Sequence, residues 1–222
     1  TMIIHQWKQP LNAISIVNSG MKLRIMLDKL TKEEINHDNE VIEKQIKLMS
    51  STMDDFKNFF KQTKKLEYRI DEDIQNAIDL VSNIYAVKNV NIVFKSHSDA
   101  KTCGYPNELI QVLINILNNA RDVIVEKELI DQDIYITIKE ELSNVYIIIQ
   151  DCAGGIPEDI ISNIFNPYFT TKSEDKGTGL GLYMSKSILD KVGGKISVSN
   201  EQVTVNKKEF TGARFEICLD KI

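Results

Sequence analysis

Most of the residues able to do chemistry fall in three short stretches of the second half of the chain. In QVLINILNNARD (Gln111 to Asp122), Asn115 and Asn119 stand four apart. On a helix that spacing puts both carboxamides on one face, and an amide oxygen is a hard donor suited to Mg²⁺. Taken alone, the pair reads as two polar positions on an amphipathic helix. In DCAGGI (Asp151 to Ile156) an aspartate ends an apolar run and is followed by Gly154 and Gly155. One carboxylate can then enter a cleft while the backbone turns beneath it, and it can accept a hydrogen bond from an exocyclic amino group. An ordinary turn explains those residues too. In KGTGLGL (Lys176 to Leu182), Gly177, Gly179 and Gly181 precede a helix. Bare N–H groups there can approach phosphate oxygens near the positive end of the helix, although a glycine-rich loop without a ligand is the plain alternative.

One further residue stands out near the start, His5 in HQWKQPLN. It follows the apolar Ile4, which places it at the edge of a buried stripe. A neutral imidazole has a ring nitrogen available near pH 7 and can attack phosphorus. Pro10 removes the helical hydrogen bond to the Gln6 carbonyl and bends the helix just beyond His5. In isolation His5 reads as a surface histidine, as do His37 and His97.

These residues need elements to hold them. Ile4, Trp7, Leu11, Ile14, Met21 and Ile25, with polar Asn18 among them, recur at three-four spacing and predict a long amphipathic helix. Thr31 with Glu34 forms a capping box before a second such helix carrying Ile35, Ile42, Ile46, Met49, Met53, Phe56 and Phe60. Two long helices with a short connection make an antiparallel hairpin. Each buries only one stripe in a lone hairpin, so a second copy completing a four-helix bundle is expected, with Asn18 able to set register.

Lys61 to Tyr68 loses the repeat and reads as a linker, giving an all-α unit over 1–64 and a second unit over 65–222. In the second, Asp71 or Asp73 caps a helix through Ile84, Val90 to Lys95 alternates as a strand, and Pro106 opens a helix through Asn119. Strands are expected at Ile134 to Ile138, Val145 to Gln150, Ile196 to Ser199 and Ala213 to Leu219, with helices at Pro157 to Ile164 and Leu182 to Val192. That mixture predicts an α+β two-layer sandwich, one sheet with helices on one face.

Composition narrows the classes. The 222 residues, 42% hydrophobic, can bury a real core. A net charge of −5 supplies no basic field for nucleic acid. Three distant cysteines without C-x-x-C spacing argue against a disulfide framework or a zinc site and fit a reducing cytosol. No apolar run is long enough to span a bilayer, so no membrane contact by this stretch is expected. A start almost on top of His5 suggests a fragment of a longer parent.

In order, the three stretches resemble the Asn-box and the two Gly-boxes of the nucleotide-binding superfamily shared by histidine kinases, DNA gyrase, mismatch-repair ATPases and a heat-shock chaperone. IFNPYFTTK (Ile164 to Lys172) is similar to the phenylalanine-containing segment of the kinase ATP lid, and HQWKQPLN resembles the phospho-acceptor box of sensor histidine kinases. The resemblance covers nearly the whole chain. It implies ATP and Mg²⁺ as cofactors, with Asn115 and Asn119 as metal ligands and Asp122 on the same nucleotide-binding helix. It also implies Asp151 and Gly155 at the adenine, Lys172 at a phosphate, and Gly177, Thr178, Gly179, Leu180 and Gly181 closing over the triphosphate. His5 becomes the nucleophile, and Gln9, one turn on, a residue orienting water for dephosphorylation of a partner.

The implied reaction is autophosphorylation of His5 followed by transfer to a response-regulator aspartate. The implied partners are a homodimeric second copy, that regulator, and a sensor domain upstream. The implied location is the cytoplasm, with an inner-membrane anchor in the parent left open. Hydrolytic members carry a Glu where this chain has Asn115, and a carboxamide is no general base, so ATP hydrolysis loses its usual catalyst. Two departures stand against the family pattern: Gln6 follows His5 where an acidic residue is common, and Ala153 occupies a usual glycine. They keep a non-catalytic or phosphatase-dominant dimeric scaffold in view; a second rival, a conformational ATPase of the same superfamily, has Asn115 against it.

Overall fold

The structure, a computed structural model, describes residues 2–59, 64–87, 90–94, 98–129, 133–172, 177–205 and 208–222. Within these, the side chains of 2–9, 48, 51–59, 83, 84, 87, 204, 205 and 208 are outside the described set. The chain divides into two compact units, 1–61 with 170–178 and 62–169 with 179–222.

In the first unit, α1 (Met2–Met26) and α2 (Lys32–Phe59) pack side by side, and a connection of only five residues makes them antiparallel. The connection turns at Asp28, whose φ of 53° lies in the left-handed region. The expected capping box is present. The Thr31 N–H donates to Glu34 Oε2 (2.9 Å) and the Glu34 N–H donates to Thr31 Oγ1 (3.2 Å), satisfying two donors that the helix start leaves over. Just beyond, Arg24 pairs with buried Asp38 and ties the two helices at the turn.

At 100° per residue, Pro10, Ala13, Ile14, Val17, Gly20, Met21 and Arg24 share one face of α1, and these are its less exposed positions. Leu11 and Ile25 flank that face on one side and remain 49% and 61% exposed. Ile16 and Leu23 flank it on the other at 71% and 58%. The seam read from sequence therefore divides: Ile14 and Met21 turn inward, while Leu11, Asn18 and Ile25 stay open in the single chain.

The second unit has β1 (Leu66–Arg69), α3 (Ile70–Val87), β2 (Asn91–Phe94), β3 (Lys101–Gly104), α4 (Pro106–Glu126), β4 (Asp133–Glu140), β5 (Asn144–Gln150), α5 (Glu158–Ile161), α6 (Gly181–Val192), β6 (Lys195–Val205) and β7 (Lys208–Asp220). Five strands form one sheet in the order β2-β4-β5-β7-β6, antiparallel except for β2 against β4. Alternation sets its buried face. Ile134 and Ile136 of β4, Val145, Ile147 and Ile149 of β5, and Phe215, Ile217 and Leu219 of β7 all lose nearly all their exposure. Helices α3, α4 and α6 supply the facing layer, through Ile74, Ala77, Val81, Leu113, Ile116, Leu117, Ile124, Ile188 and Leu189. Burying an isoleucine or leucine side chain this fully is worth about 1.5–3 kcal/mol, so this apolar layer is what holds the unit together. The α/β sandwich is the architecture expected from the mixed order of elements.

The differences are local. Leu66 to Tyr68, read as the end of a linker, pair with Thr102 to Gly104 in a separate two-stranded sheet. Leu66 to Arg69 alternates over only four residues beside a run of lysines, too short a signal to mark a strand without its partner β3. The expected cap, Asp71 or Asp73, lies inside the first turn of α3 instead. Asp71 is engaged by Arg69 (2.7 Å) and Asp73 is buried. Helix α5 is one turn long where eight residues were expected, and α4 runs seven residues past Asn119. Among the described residues no helix is long and apolar enough to cross a membrane.

Candidate functional site

Asp151 leaves the buried strand β5 and is itself only 7% exposed. Its Oδ1 accepts two backbone N–H bonds, from Ala153 (2.9 Å) and from Ala213 on β7 (3.1 Å). The Asp151 N–H donates in turn to the Ala213 carbonyl (3.1 Å). One carboxylate oxygen is thereby clamped and the other is left to accept from a ligand. Burial raises the Asp151 pKa above the ordinary carboxylate range, while the two backbone bonds and the nearby Lys127 ammonium pull it down.

The rest of that loop is pinned from three directions. Lys127, just past the end of α4, donates from Nζ to the Ala153 carbonyl (2.6 Å). The Gly154 N–H donates to the Thr211 carbonyl (2.8 Å). The Asn200 side chain acts as a strand partner for Ile156, accepting from its N–H (2.7 Å) and donating to its carbonyl (2.6 Å). A Cβ at Gly155 would lie 2.5 Å from Asn200 Oδ1, and one at Gly212 would overlap the Asp151 carbonyl, so both glycines are needed for close approach. The backbone at Ala153 does not demand a glycine. The left-handed conformations fall on Gly154 (φ 92°) and Gly155 (φ 73°), and Ala153 keeps an ordinary one.

On α4, Asn115 and Asn119 are half-buried one turn apart, as their spacing predicts. Asn115 Nδ2 donates to Ser185 Oγ of α6 (2.9 Å), and its Oδ1 lies over the Cα of Gly181, where a Cβ would overlap it. Gly181 is the first residue of α6, so the Asn-box and the second Gly-box meet here in van der Waals contact. Leu180 is buried and caps α6 through its carbonyl, which accepts from the Met184 N–H (2.8 Å). Gly179 has φ 64° and stacks on the Tyr168 backbone, whose N–H donates to the Gly179 carbonyl (2.8 Å). Asp122 is paired with Arg121 (2.5 Å), whose Nη1 also donates to Asn118 (2.9 Å).

The segment 170–178 belongs to the other compact unit. The Lys172 N–H donates to Thr170 Oγ1 (3.1 Å), and a Cβ on Gly177 would lie 2.8 Å from that same hydroxyl oxygen. Thr178 follows directly, half-buried. His5 and Gln9 are residues of α1, but their side chains, like that of Gln6, lie outside the described set, as does the whole of His97.

Ser185, Lys127, Asn200 and Gly212 were not singled out from sequence. Ser185 carried a readable signal, one turn after Gly181 on a helix whose start was recognised. Asn200 and Gly212 carried none, because their contacts with the Asp151 loop span tens of residues.

Among the described residues no three of His, Cys, Asp or Glu gather into a cation cage. The donors present, two carboxamides on one helix face, suit a hard cation that brings phosphate oxygens and waters as its remaining ligands, which is how Mg²⁺ is usually held.

Residues 104–221 match the model of the histidine kinase-, DNA gyrase B-, and HSP90-like ATPase family. The chain belongs to that family. Within it, the unit that carries Asn115 and Asp151 is an ATP-binding domain of the histidine kinase type. The chain is 27% identical over 202 residues to the C4-dicarboxylate transport sensor protein DctB of Pseudomonas aeruginosa, covering 89% of this chain and 32% of that one. It therefore spans about a third of that relative's length. The solved catalytic domain of the histidine kinase ThkA superposes with a TM-score of 0.60 at 28% identity, over 72% of this chain and 97% of that one. ThkA in complex with the response regulator TrrA matches in fold with a TM-score of 0.68 at 22% identity, over 100% of this chain and 60% of that one.

Proposed function

We propose that this histidine kinase-family chain is the catalytic portion of a sensor kinase, transferring the γ-phosphoryl group of ATP to His5 and then to a response-regulator aspartate. The observation that carries the nucleotide half is the clamped Asp151, a buried carboxylate with one oxygen held by two N–H groups and the other available to an adenine amino group. Asn115 and Asn119 would hold Mg²⁺ through their amide oxygens, and the cation would supply charge neutralisation for the phosphates when bound. Gly179 and Gly181 let backbone approach the triphosphate, with Lys172, Thr178 and Leu180 in the same phosphate-binding stretch. The His5 imidazole attacks the γ-phosphorus in line, an N–P bond forms, the bond to the ADP oxygen breaks, and the imidazole proton passes to solvent or a neighbouring base. Gln6 cannot take that proton.

Asn115 also bears on the reaction type. A carboxamide cannot deprotonate water, which favours transfer to a supplied nucleophile over hydrolysis. The partnership of ThkA with a response regulator supports the second transfer, with Gln9 orienting a water that hydrolyses the regulator's phosphoaspartate and releases phosphate. A homodimer, an upstream sensor domain and a cytoplasmic location complete the proposal.

Incubation with γ-labelled ATP and Mg²⁺ tests it. The expected product is acid-labile, alkali-stable protein phosphate that is absent from His5→Ala. Label that persists in His5→Ala rejects His5. Free phosphate without protein label assigns the chain to the conformational ATPases instead.

A further inference from the structure

Asn115 can contribute to a cation site only if its oxygen, and not its nitrogen, is presented, and a carboxamide is free to turn either way unless something holds it. Ser185 holds it. This serine is 2% exposed, one turn into α6, and its Oγ lies within hydrogen-bond distance of two groups, the Gly181 carbonyl (3.1 Å) and Asn115 Nδ2 (2.9 Å). A carbonyl can only accept, so the one hydroxyl proton goes to Gly181. What the Ser185 oxygen has left are lone pairs, and these can satisfy only the N–H side of the Asn115 amide. The Asn115 oxygen is thereby turned away from Ser185, against the bare Cα of Gly181, where any side chain would displace it. The chain Asn115 to Ser185 to Gly181 is directional at each link and joins α4 to the start of α6.

We infer that Ser185 is a positioning residue for metal binding, fixing the Asn115 carboxamide with its oxygen on the side of Gly181, the glycine proposed to lie at the triphosphate, and its nitrogen on the side of Ser185. This rests on the proposal that the unit binds ATP with Mg²⁺ through Asn115. Removing the hydroxyl takes away the acceptor that holds the Asn115 nitrogen and lets the amide turn. Groups that orient a metal ligand typically carry about 10–100-fold of metal affinity, and the loss here should fall on the metal-dependent part of nucleotide binding alone.

The experiment is calorimetric titration of the full chain with a non-hydrolysable ATP analogue, once with Mg²⁺ and once with EDTA. For the unaltered protein the ratio of the two affinities is the metal gain. In Ser185→Ala the gain should shrink about tenfold while the affinity in EDTA stays the same. Ser185→Cys, close in volume and a poor acceptor, should move the gain the same way and guards against a packing defect in the alanine variant. Ser185→Thr, which keeps the hydroxyl, should restore it. Because Ser185 acts through Asn115, the double variant Asn115→Ala with Ser185→Ala should match Asn115→Ala alone.

An equal fall in affinity with and without Mg²⁺ would mean that Ser185 only packs α6 on α4, and it overturns the inference, as does an undiminished gain. Nucleotide binding by the unaltered protein with no metal gain also overturns it while leaving the nucleotide site standing. No nucleotide binding under any condition removes both.

Discussion

At the scale of single residues, two buried carboxylates are compensated to different degrees. Asp151 is buried but compensated by two N–H donors. Asp73 is 5% exposed, and one of its oxygens is buried with no hydrogen-bond partner. Burial, helped by the neighbouring charge of Glu72, pushes its pKa up to about 7 from an ordinary 3.8. With the folded value above the unfolded one, the folded protein binds the proton more tightly. Asp73 therefore costs nothing below about pH 4, costs progressively more as pH rises to about 7, and levels off above. Replacing it with Asn should give a stability advantage of about 1–3 kcal/mol at pH 8 that vanishes near pH 4, read from urea unfolding across that range. An advantage independent of pH would mean that folding leaves the Asp73 pKa where it stands in the unfolded chain. At the site itself, Gly212→Ala forces a methyl into the Asp151 carbonyl. It should abolish adenine-nucleotide binding by calorimetry even where circular dichroism shows retained secondary structure.

At the scale of elements, the second unit is held where polar ties cross between helices as well as by its apolar layer. Lys191 of α6 meets Glu108 of α4 at 2.8 Å and lies over the Tyr105 ring at 4.2 Å. Glu108 is 5% exposed with its second oxygen buried and unpartnered, so Lys191→Met strands a buried charge and should destabilise the unit by about 1–3 kcal/mol in thermal or chemical melts. The strand hairpin β6 and β7 matters in another way. It brings Asn200 and Thr211 to the Asp151 loop, so Asn200→Ala should weaken nucleotide affinity about three- to tenfold while changing stability little. Long periodic helices and alternating strands were legible from residues such as Leu113, Ile116 and Leu117, or Ile147 and Ile149, because burial imposes periods of 3.6 and 2 on the chain. The β1–β3 pair was not, since its strand character is borrowed from a partner more than thirty residues away.

At the scale of the molecule, the hairpin leaves Leu11, Ile16, Leu23, Ile25 and Ile46 about half or more exposed. Large apolar side chains at both flanks of the packed face of α1 are what a second copy would cover in the proposed four-helix bundle. Sedimentation should show a dimer that Leu11→Glu with Ile25→Glu shifts to monomer. A monomer at all concentrations for the unaltered chain would remove the basis for that bundle. The same pattern explains why Leu11 and Ile25 looked like core in the sequence: they are apolar at the right period, and whether the covering surface comes from the same chain or another is not written in the period.

What the sequence by itself determined were the features that short-range geometry imposes. These are the helix face shared by Asn115 and Asn119, the capping box at Thr31 and Glu34, the strand ending at Asp151, and glycines where a loop must pass close to something. Those motifs, read together, were also enough to mark the histidine kinase type of ATP-binding unit. Only the tertiary structure decided which partners complete the site: Ala213 on the Asp151 carboxylate, Asn200 on Ile156, Lys127 on Ala153, and Ser185 setting the direction of the Asn115 amide. The physical reason is that a hydrogen bond depends on a distance and an angle between two groups. Groups brought together from separate strands and helices acquire both only when the sheet and its helical layer pack.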